Sequence, residues 1–167
     1  MKDGVNMRKL VKKILICVLS SFVFLTGCNT NKNSIKYLMD NKDVIIVTII
    51  SNDGYTLKEK GANFQICKDG EAVITGALVA YETLKSFMDS VSQENNPAVL
   101  YKEEGKSGSS NPYIYYEAKN ANGEMEYNYL VSIVPSNTGA IMGSTISREA
   151  AQEAFKHFLI RNDLNQL

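Results

Sequence analysis

The stretch from Tyr113 to Val134 constrains the fold of this chain most. Met125, Tyr127, Tyr129, Val131 and Ile133 recur at every second position, while Glu124, Glu126, Asn128 and Ser132 fall between them. A period of two belongs to an extended strand, because successive side chains point to opposite faces. Residues 113–118 carry a similar β-branched and aromatic character, and Asn122-Gly123 between the segments tolerates the positive φ of a tight reversal. The pair is expected to be an antiparallel hairpin, strands 113–118 and 124–134, with one face covered and the other wet.

The other segments group around that hairpin. Residues 44–50, valine- and isoleucine-rich and broken only by Thr48, read as a strand buried on both faces. Asn52-Asp53-Gly54 reads as a turn and residues 62–67 as a strand. Lys68-Asp69-Gly70-Glu71 then makes a hairpin into a returning strand at 72–81. Leu84, Phe87, Met88 and Val91 fall at i, i+3, i+4 and i+7, an apolar helical stripe suited to a sheet. A loop at 93–97, a strand at 98–103 and a flexible loop at 105–111 come before the central hairpin. A turn at 135–139 and a last strand at 140–146 come after it. Ser147 caps a closing helix with Glu149 near its positive end. That helix is expected to bury Ala151, Ala154, Phe155, Phe158 and Leu159 and to turn Glu153, His157 and Arg161 to water. Ser34 is read as the cap of a brief helix through Leu38 and Met39. This order predicts a single α+β domain over 43–167, an antiparallel sheet packed by helices.

The sequence ahead of that domain has a different character. Met7-Arg8-Lys9-Leu10-Val11-Lys12-Lys13 is positive, residues 14–25 are apolar apart from Ser20 and Ser21, and Leu25-Thr26-Gly27-Cys28 closes the run. Met1 and Met7 are both available as starts. About a dozen apolar residues fall short of the ~20 that a membrane-spanning helix needs. Charge, then hydrophobe, then small residue is the order of an export signal. Leu-Thr-Gly-Cys at this distance from the basic residues resembles the signal of bacterial lipoproteins. The resemblance implies removal of residues 1–27, with cleavage between Gly27 and Cys28, and a diacylglyceryl thioether on Cys28. Residues 28–42 would then tether the domain to the extracytoplasmic face of the cell membrane. Two acyl chains, at ~0.8 kcal/mol per buried methylene, anchor stably where one is marginal.

Cleavage there leaves 140 residues with 13 basic and 17 acidic side chains, a net charge of −4. A mildly acidic domain is a poor nucleic-acid binder, which needs a basic patch. Cys67 is then the one cysteine besides Cys28, so an internal disulfide would have to engage the lipidated position. In its strand-like run Cys67 reads as a small buried hydrophobe rather than a catalytic thiol. Gly105-Lys106-Ser107 has Leu100 where a phosphate-binding loop needs glycine, which argues against nucleotide binding. His157, the single histidine, is expected on a wet helix face. With one histidine and Cys67, neither a metal site nor a catalytic triad is expected, and no cofactor is. The pairs Glu103-Glu104 and Glu124-Glu126 read as solvated charge.

Tyrosine is the conspicuous excess, with six of the nine between Tyr101 and Tyr129. Tyr113 and Tyr115 share a strand face, as do Tyr127 and Tyr129, and Tyr116 points the other way. Strand propensity accounts for the pattern. The sharper reading makes Tyr113, Tyr115, Tyr127 and Tyr129 a binding face, since tyrosine is enriched at recognition surfaces.

The element order also resembles the PsbP-like domains, including bacterial lipoproteins of the DcrB type. Gly54-Tyr55-Thr56-Leu57 with its following hairpin, the helix at 84–91, the meander at 113–134 and the closing helix at 147–159 carry the resemblance. It implies an α/β/α sandwich and a non-enzymatic binding or accessory protein, whose partner is another envelope protein. Cystatin-like and NTF-like α+β rolls stand as alternative folds. A small-ligand carrier, and after it a hydrolase, stand as alternative functions.

Overall fold

A computed structural model describes residues 33–94 and 96–163. The expected signal segment, Gly27, Cys28 and the chain through Lys32 lie outside the described residues. Among those described, ten strands and two helices follow in the order β1 (Ser34–Leu38), β2 (Val44–Ile49), β3 (Tyr55–Lys60), β4 (Asn63–Lys68), β5 (Glu71–Ala80), α1 (Tyr81–Ser92), β6 (Tyr101–Lys106), β7 (Pro112–Lys119), β8 (Met125–Ser132), β9 (Thr138–Ser144), α2 (Arg148–Lys156) and β10 (Phe158–Asn162). Seven strands form one sheet in the order β3-β4-β5-β9-β8-β7-β6, and β1-β2-β10 form a second. Every pairing is antiparallel. The fold class is α+β.

Two strong turns set the register of the large sheet. Asp69 and Gly70 both adopt positive φ, 51° and 91°, as a two-residue hairpin requires. At the β7–β8 turn, Gly123 takes φ 84° and the Asn120 Oδ1 accepts from the Asn122 and Glu124 amides at 2.9 and 3.0 Å. The β7–β8 register then sets Tyr115 opposite Tyr129 and Glu117 opposite Tyr127.

The large sheet is covered on both faces, not on one. Leu84, Phe87 and Val91 of α1 pack over Ile114, Tyr116, Ala118 and Leu130. The opposite face joins Phe64, Tyr115, Tyr129 and Met142 to Phe155 and Phe158, and to Ile45, Val47 and Ile49 of the small sheet. Glu126, Asn128 and Ser132, expected on a wet face, are consequently buried on the α1 side. Burial pushes the Glu126 carboxyl up, assisted by the charge of Glu124. The Asn128 Nδ2 is buried without a hydrogen-bond partner.

Other expectations are corrected. Residues 34–38 form a strand rather than a capped helix, because Ile35 and Tyr37 alternate inward and find β2, whose carbonyls and amides they pair. The Ser34 hydroxyl bonds the Thr48 hydroxyl at 2.9 Å instead of capping a turn. The fold thus begins inside the stretch expected to be tether. Residues 55–60, left unassigned by periodicity, form the edge strand β3 against β4. The closing helix stops at Lys156, and Phe158 and Ile160 alternate inward as β10 on β2. Phe158 and Leu159 belong to that strand. Gly105 and Lys106 likewise lie in β6 and not in a loop.

Candidate functional site

Alternation on three neighbouring strands gathers one chemistry on the face that α2 covers. The β6–β7 register places Tyr101 opposite Glu117, Glu103 opposite Tyr115 and Gly105 opposite Tyr113. Tyr129 and Val131 continue the row on β8. Ser147 caps α2 by accepting from the Ala150 amide at 3.1 Å, and this fixes the helix so that Arg148 and Phe155 reach the row.

Phe155 stacks on Tyr129 with ring centroids 3.9 Å apart, and meets Tyr113 edge-on at 5.0 Å. Tyr115 leans on Tyr129 at 4.9 Å. Such pairs contribute about 0.5–1.5 kcal/mol each beyond the area they bury. Beside them Glu117, only 4% exposed, is held by a fork of the Arg148 guanidinium. Arg148 Nε lies 2.6 Å from Glu117 Oε1, and Nη2 donates to Oε2 at 2.8 Å. Tyr115 donates to the same Oε1 at 2.7 Å. The outer flank of Arg148 stacks on Tyr101, 5.2 Å from the ring centre.

Glu103, exposed at the edge, accepts from the Tyr101 hydroxyl at 3.1 Å. A cleft of about 190 Å³ opens beside it, walled by Tyr113, Tyr115, Tyr129, Gln152 and Phe155, with Lys156 at the rim. Burial pushes the hydroxyls of Tyr115 and Tyr129 well above the ordinary tyrosine range. The Glu117 carboxylate adds to this at Tyr115, and Tyr113 and Glu103 add to it at Tyr129. These tyrosines are neutral donors and acceptors at any physiological pH. Gly105 keeps the cleft's wall in place, since a Cβ there would stand 2.7 Å from the Tyr113 hydroxyl oxygen.

Of the four tyrosines singled out from sequence, Tyr113, Tyr115 and Tyr129 therefore line one cleft. Tyr127 lies further along β8, half-buried against the core, outside the lining. Tyr116 points to the α1 side. Tyr101, Glu103, Glu117, Arg148, Gln152 and Phe155 complete the site, and sequence reasoning gave none of them a role in it. The available signal was position: Glu117 follows Tyr113 and Tyr115 at the same two-residue interval, on a face too apolar to leave a carboxylate unpaired.

The remaining candidates are dispersed. His157 is buried, not solvated. It stacks on Tyr55 at 4.3 Å, and its Nδ1 lies 3.0 Å from Asn52 Oδ1, while the Lys68 ammonium covers the Tyr55 ring at 5.1 Å. Cys67 is fully buried, its thiol pushed up by burial against an opposing pull from Lys58, which suits a packed hydrophobe. Glu104 pairs with Lys102 at 3.9 Å on the other face from Glu103. Among the described residues no three of His, Cys, Asp and Glu are placed to hold a metal ion. Nor is any helix among them long and apolar enough to cross a membrane. Protein-family models give no match to this chain, and a search of curated proteins finds no similar one.

Proposed function

We propose that the protein is a lipid-anchored binding module of the bacterial cell envelope, held on the extracytoplasmic face of the membrane through Cys28 and engaging its partner at the cleft between β6, β7 and α2. The anchor rests on Leu25-Thr26-Gly27-Cys28 behind its basic and apolar run. The binding reading is carried by one observation. Tyr129, 3% exposed, lines an open cleft, yet its hydroxyl has no hydrogen-bond partner among the described residues. That hydroxyl is not one of the buried partnerless side-chain atoms, which among the described residues are Thr56 Oγ1 and Asn128 Nδ2, so it opens on the cleft, where a ligand group can take the place of water.

The rest of the site favours holding over reacting. Glu117 is committed to Arg148 and Tyr115, so it is tied into the scaffold rather than free to exchange protons. A PsbP-like α/β/α arrangement is our finer reading of the fold. It is supported by α1 on one face of the seven-stranded sheet and α2 on the other.

Fractionation of cells producing the wild type and Cys28→Ala tests the anchor. The wild type should partition into the detergent phase and carry a diacylglyceryl mass on Cys28, and the variant should leave the membrane. A wild type that is soluble and unlipidated would overturn the proposal.

A further inference from the structure

We propose that the cleft beside Glu103 binds a primary ammonium group, presented either as a lysine side chain of a partner protein or as a free small amine. The assignment rests on the binding-module reading for its setting and adds the chemistry of what is bound.

Charge comes first. Glu117 is neutralised by Arg148, and Lys156 at the rim is held by Glu153 at 2.7 Å. Glu103 has hydroxyl partners but no cation within ion-pair distance among the described residues, since the neighbouring Lys102 pairs with Glu104. The cleft therefore carries one uncompensated negative charge at its mouth. An anionic ligand would be repelled there and a cation drawn in.

Hydrogen-bonding capacity points the same way. An ammonium brings three donors and no acceptor. Glu103, Tyr113, Tyr129 and Gln152, each of which carries an acceptor oxygen, are among the residues that line the cleft. The Tyr129 hydroxyl makes no hydrogen bond among the described residues, and Glu103 and Tyr113 are near enough to act on it electrically. The walls are aromatic, from Tyr115, Tyr129 and Phe155, and offer apolar surface to the alkyl stem that carries the ammonium. The volume of about 190 Å³ lies below the ~300–1,000 Å³ of pockets that take drug-sized ligands, so the cleft fits one side chain or a short alkyl amine.

The test is titration of the mature lipoprotein in detergent micelles with Nα-acetyl-lysine methylamide, with n-butylamine, and with the neutral Nε-acetylated form of the lysine probe. Calorimetry gives the heat. Tyrosine emission gives a second readout, unmasked because the chain has no tryptophan and with Tyr113, Tyr115 and Tyr129 lining the cleft. Both amines should bind saturably and the neutral probe at least about tenfold more weakly. Tighter binding of the lysine probe identifies a partner's lysine as the source, and tighter binding of butylamine a free amine. Glu103→Gln, at an exposed position, should keep the wild-type urea midpoint and lose about tenfold in amine affinity. Tyr129→Phe should keep the ring and also bind more weakly. Equal binding of the neutral probe, unchanged affinity in Glu103→Gln, or no saturation by either amine would overturn the assignment. If amines fail while the wild type still retains a partner from native membranes, only the ammonium chemistry falls. If no partner is retained either, the binding-module reading falls with it.

Discussion

Replacing Arg148 with alanine tests the site's architecture most sharply. The Glu117 carboxylate would keep its bond from Tyr115 and lose both guanidinium contacts, at 2.6 and 2.8 Å, while remaining 4% exposed. Hydrogen bonds to a charged group contribute about 1.5–3 kcal/mol each. The Arg148 side chain is 47% exposed, so water reaches the vacated oxygens and the net loss shrinks to about 2 kcal/mol. Tyr101 would also lose the cation over its ring. Urea unfolding of the protein purified in detergent micelles, followed by tyrosine fluorescence and far-UV circular dichroism, measures the loss. Removing the buried charge as well should reverse much of it. Arg148→Ala combined with Glu117→Gln is expected to recover more than half of the lost stability. A single variant within about 0.5 kcal/mol of wild type, or a double variant as unstable as the sum of its parts, would show that Arg148 does not hold a buried charge on Glu117.

Three other perturbations follow from the packing. Burial pushes the Asp43 carboxyl up, but hydrogen bonds from Ser136, Thr138, the Asn137 amide and Asn41 outweigh it and hold the group below the usual carboxylate range. A depressed folded-state pKa gives stability that is complete above the unfolded value of about 4 and lost as pH falls through the folded one. The gap in urea midpoint between wild type and Asp43→Asn should accordingly narrow from pH 4 downward. A constant gap would exclude the linkage. Asn111 donates to the Ile160 carbonyl at 2.7 Å and accepts from the Val134 amide at 2.9 Å, so Asn111→Leu orphans two backbone groups and should cost about 2–3 kcal/mol in the same unfolding assay. His157→Ala should cost about 1–3 kcal/mol through the lost Tyr55 stack and Asn52 bond, and His157→Phe less, with amine affinity unchanged in both.

What the sequence disclosed and what it withheld have separate physical causes. The hairpins at Asp69-Gly70 and Asn122-Gly123 were legible because their residues accept the backbone angles that the turns demand. The stripes of α1 and α2 were legible because a helical period repeats several times. β1, β3 and β10 were not, for each is five or six residues long and takes its identity from partners far along the chain. Ile160 pairs with Val47, for instance, and no local pattern records that. The wet face predicted for Glu126 and Asn128 failed for a related reason. Alternation shows which residues share a face, but α1 decides whether that face meets water. The cleft was half legible. Three of its tyrosines stood out by number and spacing, whereas Arg148 and Phe155 arrive from a helix whose docking the strand sequence does not encode.

Native mass spectrometry of the full-length protein drawn gently from cells that produce it, wild type beside Glu103→Gln, reads the proposed anchor and the proposed ligand in one experiment. The proposal requires a chain beginning at Cys28, bearing a diacylglyceryl group, with a bound protein or small amine on the wild type that is depleted on the variant. An unlipidated chain, or the same companions retained by both forms, would contradict it.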